Sequence, residues 1–123
     1  MIIGIGNDII EIERIKNAIT KKGFIERYFT KKEIELFVSR KSNPEIIAGN
    51  FTIKEAVSKV FGSGVRGFSL IDIEVLRDSK GKPYVNLYRN AKLLAEQIGI
   101  KTLFVSIAHC KDYAVGFAVG EGE

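Results

Sequence analysis

Residues 71–88 read Ile-Asp-Ile-Glu-Val-Leu-Arg-Asp-Ser-Lys-Gly-Lys-Pro-Tyr-Val-Asn-Leu-Tyr. Two β-rich runs, Ile71 to Arg77 and Tyr84 to Tyr88, flank the turn-forming stretch Asp78-Ser79-Lys80-Gly81-Lys82-Pro83. This pattern predicts a hairpin. A strand that turns straight back into its neighbour makes an antiparallel pair, with no room for a crossover helix. The last stretch repeats the arrangement: Thr102 to His109 and Tyr113 to Val119 are joined only by Cys110-Lys111-Asp112. A short helix, Ala91 to Ile98, lies between the two pairs and is ended by Gly99.

Working back towards the N-terminus, helices take over. Asn43-Pro44 opens a long helix to Phe61, since proline is tolerated in a first turn, and Gly62, Gly64 and Gly67 follow it. Thr30 with Glu33 forms a capping box for a helix to about Arg40. Ile12, Ile15, Ala18 and Ile19 recur at helical spacing, with Gly23 as the stop. Residues 2–10 alternate as a strand, placing Gly4, Gly6 and Asp8 on one face. The predicted order is β-α-α-α-β-β-α-β-β. This is an α+β fold with a largely antiparallel sheet and one long helix, in one domain spanning residues 1–123.

The 123 residues are 46% hydrophobic and 28% charged, a globular composition. A single cysteine, Cys110, excludes an internal disulfide and points to a reducing, cytoplasmic setting. No apolar run approaches the roughly 20 residues of a membrane span. The apolar N-terminus lacks a basic lead-in, so it is not expected to be a signal peptide. Net charge is +4, unevenly spread: from Arg14 to Lys32 seven basic residues face one acid, Glu26, for +6. Such a stretch suits an acidic partner or a solvated helix face. Only Phe24, Tyr28 and Phe29 interleave with it, and no nucleic-acid motif is present, so nucleic acid is not the expected partner.

Three features carry candidate chemistry. Asp8 is a carboxylate among isoleucine and glycine, with Gly4 and Gly6 leaving space beside it. It needs a cation, a metal or a strand-end exposure, or else it caps the next helix. Glu55, Ser58, Lys59 and Gly62 share one side of the long helix, opposite Ile53, Val57 and Val60. Glu55 with Lys59 also fits an ordinary i, i+4 surface pair. Gly62-Ser63-Gly64-Val65-Arg66-Gly67 lacks a P-loop ending, and an anion there would rely on backbone N–H groups with Lys59 and Arg66. His109 and Cys110 are adjacent in a strand end, which disfavours them as a nucleophile–base pair. Two carboxylates with phosphate oxygens and waters are what Mg²⁺ favours. Phosphoryl transfer and Mg²⁺-dependent phosphate hydrolysis both remain open at this point, as does a structural oligomer.

Gly4-Ile5-Gly6-Asn7-Asp8-Ile9, with Arg14 following, resembles the first signature of the 4′-phosphopantetheinyl transferases. Phe51-Thr52-Ile53-Lys54-Glu55-Ala56-Val57-Ser58-Lys59 resembles the second, F-x-x-K-E-A-x-x-K. Asp72-Ile73-Glu74, Gly81-Lys82-Pro83-Tyr84 and Val105-Ser106-Ile107-Ala108-His109 extend the likeness to the small holo-[acyl-carrier-protein] synthase type. The resemblance implies that fold, and transfer of the phosphopantetheine arm of coenzyme A to a serine of an acidic apo-acyl carrier protein in fatty acid biosynthesis. It implies Mg²⁺ on Asp8 and Glu55, and catalytic roles for Asp8, Glu55 and Lys59. It implies coenzyme A contacts from Lys54, Lys59, Gly62, Ser63, Gly64, Arg66 and His109, and carrier contacts from Arg14, Lys21, Lys22 and Arg27. It implies a homotrimer with sites between subunits, in which Asp8 and Glu55 can come from different chains. The proton acceptor is left open among Asp8, Glu55 and a metal-bound water. Asn50 stands where the resemblance leads one to expect a coenzyme A-binding arginine, and an amide lacks that charge.

Overall fold

The computed structural model describes residues 1–62 and 67–123. Its elements are β1 (Ile2–Glu11), α1 (Ile12–Ala18), α2 (Phe24–Tyr28), α3 (Lys31–Ser39), α4 (Pro44–Phe61), a one-turn 3₁₀ helix (Leu70–Asp72), β2 (Ile73–Arg77), β3 (Pro83–Leu87), α5 (Arg89–Ile98), β4 (Thr102–His109) and β5 (Tyr113–Glu121). The α+β class and antiparallel pairing match the sequence reading. Two elements differ. Gly23, expected only as a stop, has φ +84° and opens the additional helix α2. The expected start of the hairpin strand at Ile71 is instead the 3₁₀ turn, and β2 begins at Ile73.

The sheets are separate: β1-β5-β4 in one, β2-β3 in the other, all antiparallel. α4 lies across one face of the larger sheet. That face is built of small residues, with Gly6 paired to Ala118, Asp8 to Gly116 and Ile10 to Ala114. A Cβ on Gly6 would sit 2.0 Å from the Ala56 carbonyl oxygen, and one on Gly116 2.7 Å from Thr52 backbone. The space that the sequence leaves beside Asp8 is therefore filled by the backbone of α4. The glycines let helix and strand approach until Asp8 and the α4 side chains meet.

α4 divides two apolar cores. Ile53, Val57 and Val60 pack with Ile73, Val75, Ala91 and Ala118. Ile47 and Ala48 pack with Ile12, Ile15, Phe29 and Phe37. Thr30 caps α3 with the reciprocal Glu33 bond, and the Asn43 side chain accepts from the Glu45 N–H at the start of α4. The outer face of the larger sheet is different in kind. Ile5, Ile9, Phe104 and Phe117 project from it and are 42–62% exposed.

Candidate phosphoryl-transfer site

Asp8 is on the helix-facing side of β1 and is partly exposed. Lys59, on α4, places Nζ 3.4 Å from Asp8 Oδ1 and 2.8 Å from the Asn7 carbonyl oxygen, to which it donates. Among the described residues Lys59 makes this cross-element contact rather than an ion pair with Glu55. Glu55 lies one turn back on the same side of α4. Burial pushes its carboxyl pKa up, the nearby Asp8 charge pushes it further, and Lys59 pulls it back. Asp8 and Glu55 of a single chain thus belong to one cluster. The expectation that separate subunits supply them does not match this geometry.

A carboxylate that is partly buried beside a second negative charge, as Glu55 is, is better accommodated by a cation than by apolar surroundings. Among the described residues no group of three or more His, Cys, Asp or Glu side chains could hold a metal. A two-carboxylate set fits Mg²⁺ on donor chemistry, because that ion commonly keeps several waters and takes only one or two protein carboxylates alongside phosphates.

The remaining expected residues divide. Gly62 closes α4 with φ +124°, and its N–H donates to the Lys59 carbonyl oxygen. Ser63, Gly64 and Arg66 lie outside the described residues. His109 is exposed at the end of β4, with Nδ1 3.4 Å from Glu45 Oε2. Arg14 on α1, Lys21 and Lys22 beyond it, and Arg27 on α2 are all exposed, and Arg27 stacks 5.3 Å over the Tyr28 ring.

Lys54 and Asn50 do not join the surface cluster. Both are 0% exposed. Lys54 Nζ donates to Glu33 Oε1 at 2.7 Å, to the Leu70 carbonyl oxygen at 3.1 Å and to the Ile73 carbonyl oxygen. It also sits 5.1 Å from the Phe29 ring centroid. Asn50 Nδ2 donates to Glu33 Oε2 and to the Val75 carbonyl oxygen. Direct coenzyme A contact through Lys54, or through a residue oriented as Asn50 is, does not fit this packing. Burial pushes the Glu33 pKa up and the Lys54 pKa down, each opposed by the other's charge. The buried Glu33 is the partner that the sequence reading missed; its capping role alone was visible.

A second buried carboxylate was also missed. Glu74 on β2 accepts from Thr30 Oγ1 at 2.6 Å, Tyr88 OH at 3.0 Å and Asn86 Nδ2 at 3.1 Å. Burial pushes its pKa up, but these three donors outweigh it and hold the carboxyl below the ordinary glutamate value.

A sheet face of small residues is thus crossed by a helix that brings Glu55 and Lys59 to a strand aspartate. The sequence pattern of the 4′-phosphopantetheinyl transferase superfamily matches residues 4–118, and the chain belongs to that superfamily. It is a transferase. It is 51% identical to a holo-[acyl-carrier-protein] synthase of Clostridium perfringens, over 100% of this chain and 96% of the relative. It is 53% identical to one of Clostridium botulinum, over 98% of each. Its fold matches a crystal structure of a Bacillus anthracis holo-(acyl-carrier-protein) synthase in complex with CoA (3′,5′-ADP), with a TM-score of 0.83 and 36% identity over 100% of this chain and 99% of that one.

Proposed function

We propose that this protein transfers the 4′-phosphopantetheine group of coenzyme A to a serine of an apo-acyl carrier protein. The observation that carries the reading is the meeting of Asp8, Glu55 and Lys59 across β1 and α4, in a chain that shares the fold of a coenzyme A-bound relative. Asp8 and Glu55 are the residues that would hold Mg²⁺, which when bound would neutralise charge on the pyrophosphate. Lys59 adds a fixed positive charge where the phosphates gather. The carrier serine Oγ attacks the β-phosphorus. The bond from that phosphorus to the bridging oxygen breaks, and adenosine 3′,5′-bisphosphate leaves with the electron pair. The serine proton passes to Asp8, Glu55 or a water held at the site.

The acidic carrier docks on the basic surface of α1 and α2, through Arg14, Lys21, Lys22 and Arg27. His109 and Gly62 contact the nucleotide. The exposed apolar face of β1-β5-β4 is the contact surface of a homotrimer, because an apolar patch of that kind is covered in most proteins. Sedimentation equilibrium is expected to give the trimer mass, and a monomer would refute that assembly. No helix among the described residues is long and apolar enough to cross a membrane, and the free, exposed Cys110 accords with a cytoplasmic setting. Transfer to an apo-carrier protein, followed by intact mass, tests the function itself.

A further inference from the structure

Ile73, Val75 and Arg77 alternate on one face of β2, and the first two are fully buried in the core beside α4. Arg77 carries that face to the end of the strand as a half-buried guanidinium. Its Nη2 lies 3.9 Å from where a Cβ of Gly49 would stand, so it rests against bare backbone of α4. Cγ2 of Ile107, on β4, would stand 3.1 Å from the same Cβ. A guanidinium has five N–H donors. The one side-chain bond of Arg77 among the described residues is long, 3.4 Å from Nη1 to the Leu76 carbonyl oxygen.

The neighbour of Arg77 is a second cation rather than an acid. Arg40 follows Glu33 by about two helical turns and so continues its face of α3. Glu33 accepts from the Val75 N–H at 3.3 Å, so that face looks onto β2. Burial pushes the Arg77 pKa down and the Arg40 charge pushes it further, with Glu33 opposing. Among the described residues neither arginine forms an ion pair. The acids around them are engaged elsewhere. Glu33 is taken by Lys54, Asn50 and the Thr30 and Val75 N–H groups. Asp78 accepts from the Lys80 and Lys82 N–H groups, and Glu45 faces His109. Two guanidiniums without a carboxylate suit a doubly charged anion. Their planar donor forks match phosphate oxygens, and a phosphate monoester carries about −1.5 to −2 at neutral pH. This corner is apart from the Asp8 cluster. Asp8 pairs with Gly116 of β5, and Gly116 with Ile107 of β4. α4 crosses over Gly116 at Thr52, which leaves Asp8 on the β1 side of the helix and Arg77 on the β4 side.

We propose that Arg40 and Arg77 form a phosphate-binding site in the corner between α3, α4 and β2, separate from the Asp8–Glu55–Lys59 cluster, which takes a phosphate group, free or as a monoester, between the two guanidiniums.

The test follows the arginine side-chain Nε–H signals by NMR while inorganic phosphate is added at constant ionic strength. Those of Arg40 and Arg77 should move together along one saturable curve, and that of the exposed Arg27 should stay in place. Equal drift of all three would show an adventitious ion only and would overturn the proposal, as would no shift at all. Arg77→Met should weaken phosphate binding at Arg40 at least about tenfold, the scale of losing a hydrogen bond between charged groups. It should leave the phosphate-free protein at least as heat-stable, because it removes a like-charge neighbour. A variant that is less stable yet binds phosphate as the wild type does would give Arg77 a structural role and overturn the proposal. Should it not fold, Arg40→Gln, at an exposed position, gives the same comparison read at Arg77. Adenosine 3′,5′-bisphosphate in place of phosphate distinguishes the source. Tighter binding than free phosphate makes the ligand a nucleotide monoester, weaker binding makes it free phosphate, and binding of neither overturns the proposal. These readouts use no carrier protein and no transfer, so the site and the transferase reading fail separately.

Discussion

Lys59 Nζ lies 3.4 Å from Asp8 Oδ1, across the junction of α4 and β1. The two residues are 51 positions apart in the chain. Their contact exists because Gly4 and Gly6 carry no side chains that would hold the helix off the strand. Glu55 completes the cluster, and burial first, then the charge of Asp8, push its carboxyl pKa up.

Glu55→Gln keeps the shape of the side chain and removes its charge. Among the described residues Glu55 makes no side-chain hydrogen bond, and neutralising it relieves repulsion with Asp8. The variant should therefore fold at least as stably as the wild type while its transfer rate falls on the order of 10²–10³-fold, the scale of losing one preorganised electrostatic group. Circular dichroism and a transfer assay at neutral pH check both parts. Full activity would contradict the assignment of Glu55 to the site.

Gly6→Ala should be severe. Its Cβ would fall 2.0 Å from the Ala56 carbonyl oxygen and 3.0 Å from Lys59 Cβ, so α4 must move away from β1. A loss of about 3 kcal/mol is expected from overpacking, together with loss of transfer as Asp8 and Glu55 separate. Gly23→Ala offers the contrast: no atom lies within 4 Å, and only its φ of +84° is strained. That change should cost about 1 kcal/mol. Urea denaturation midpoints of the two variants distinguish the cases.

Arg14→Glu reverses one charge on the exposed basic surface of α1. It should raise the KM for the carrier protein several-fold and leave coenzyme A affinity as it is, since among the described residues the exposed Arg14 makes no salt bridge or side-chain hydrogen bond with Asp8, Glu55 or Lys59. Added salt should likewise raise the carrier KM of the wild type by screening. A carrier KM that is indifferent to both salt and Arg14 would remove α1 from the docking surface.

Acid stability should depend on Glu74. Its three donors hold its pKa below the unfolded value. The stability it contributes is therefore present above the ordinary glutamate range and is lost as pH falls through the folded-state pKa. Glu33 works the other way. Its pKa is raised, so its contribution is present at low pH and declines as pH rises through the folded value. Tyr88→Phe removes only a Glu74 donor, so subtracting its stability from the wild type isolates Glu74. The difference should be about 1–2 kcal/mol at neutral pH and shrink towards zero on acidification. A difference independent of pH would show that the hydrogen bond to Glu74 is not the source.

Much of this architecture was legible in the sequence, and the reason is local. The capping box at Thr30 and Glu33, the proline at the start of α4, the hairpin turn and the bounds of β4 each arise from interactions within a few residues. What escaped depends on contacts distant in sequence. α2 is held by the cluster of Phe24, Tyr28, Phe29 and Phe51, while its own five residues carry little helical signal. The buried ion pair of Lys54 was not visible, because its partner Glu33 is on another helix, 21 residues earlier. The same limit applies to Asn50, whose amide is fixed by Glu33 and Val75. The carboxylate pair was visible as residue types at Asp8 and Glu55. Their meeting within one chain follows from the small-residue face of the sheet, which only the strand register reveals.

The most direct measurement is the intact mass of an apo-acyl carrier protein after incubation with this protein, coenzyme A and Mg²⁺. The account predicts that the carrier gains the mass of one phosphopantetheine group on a serine, that adenosine 3′,5′-bisphosphate appears in equal amount, and that Glu55→Gln slows both to the same extent. A carrier of unchanged mass, with the enzyme folded and coenzyme A in excess, would contradict it.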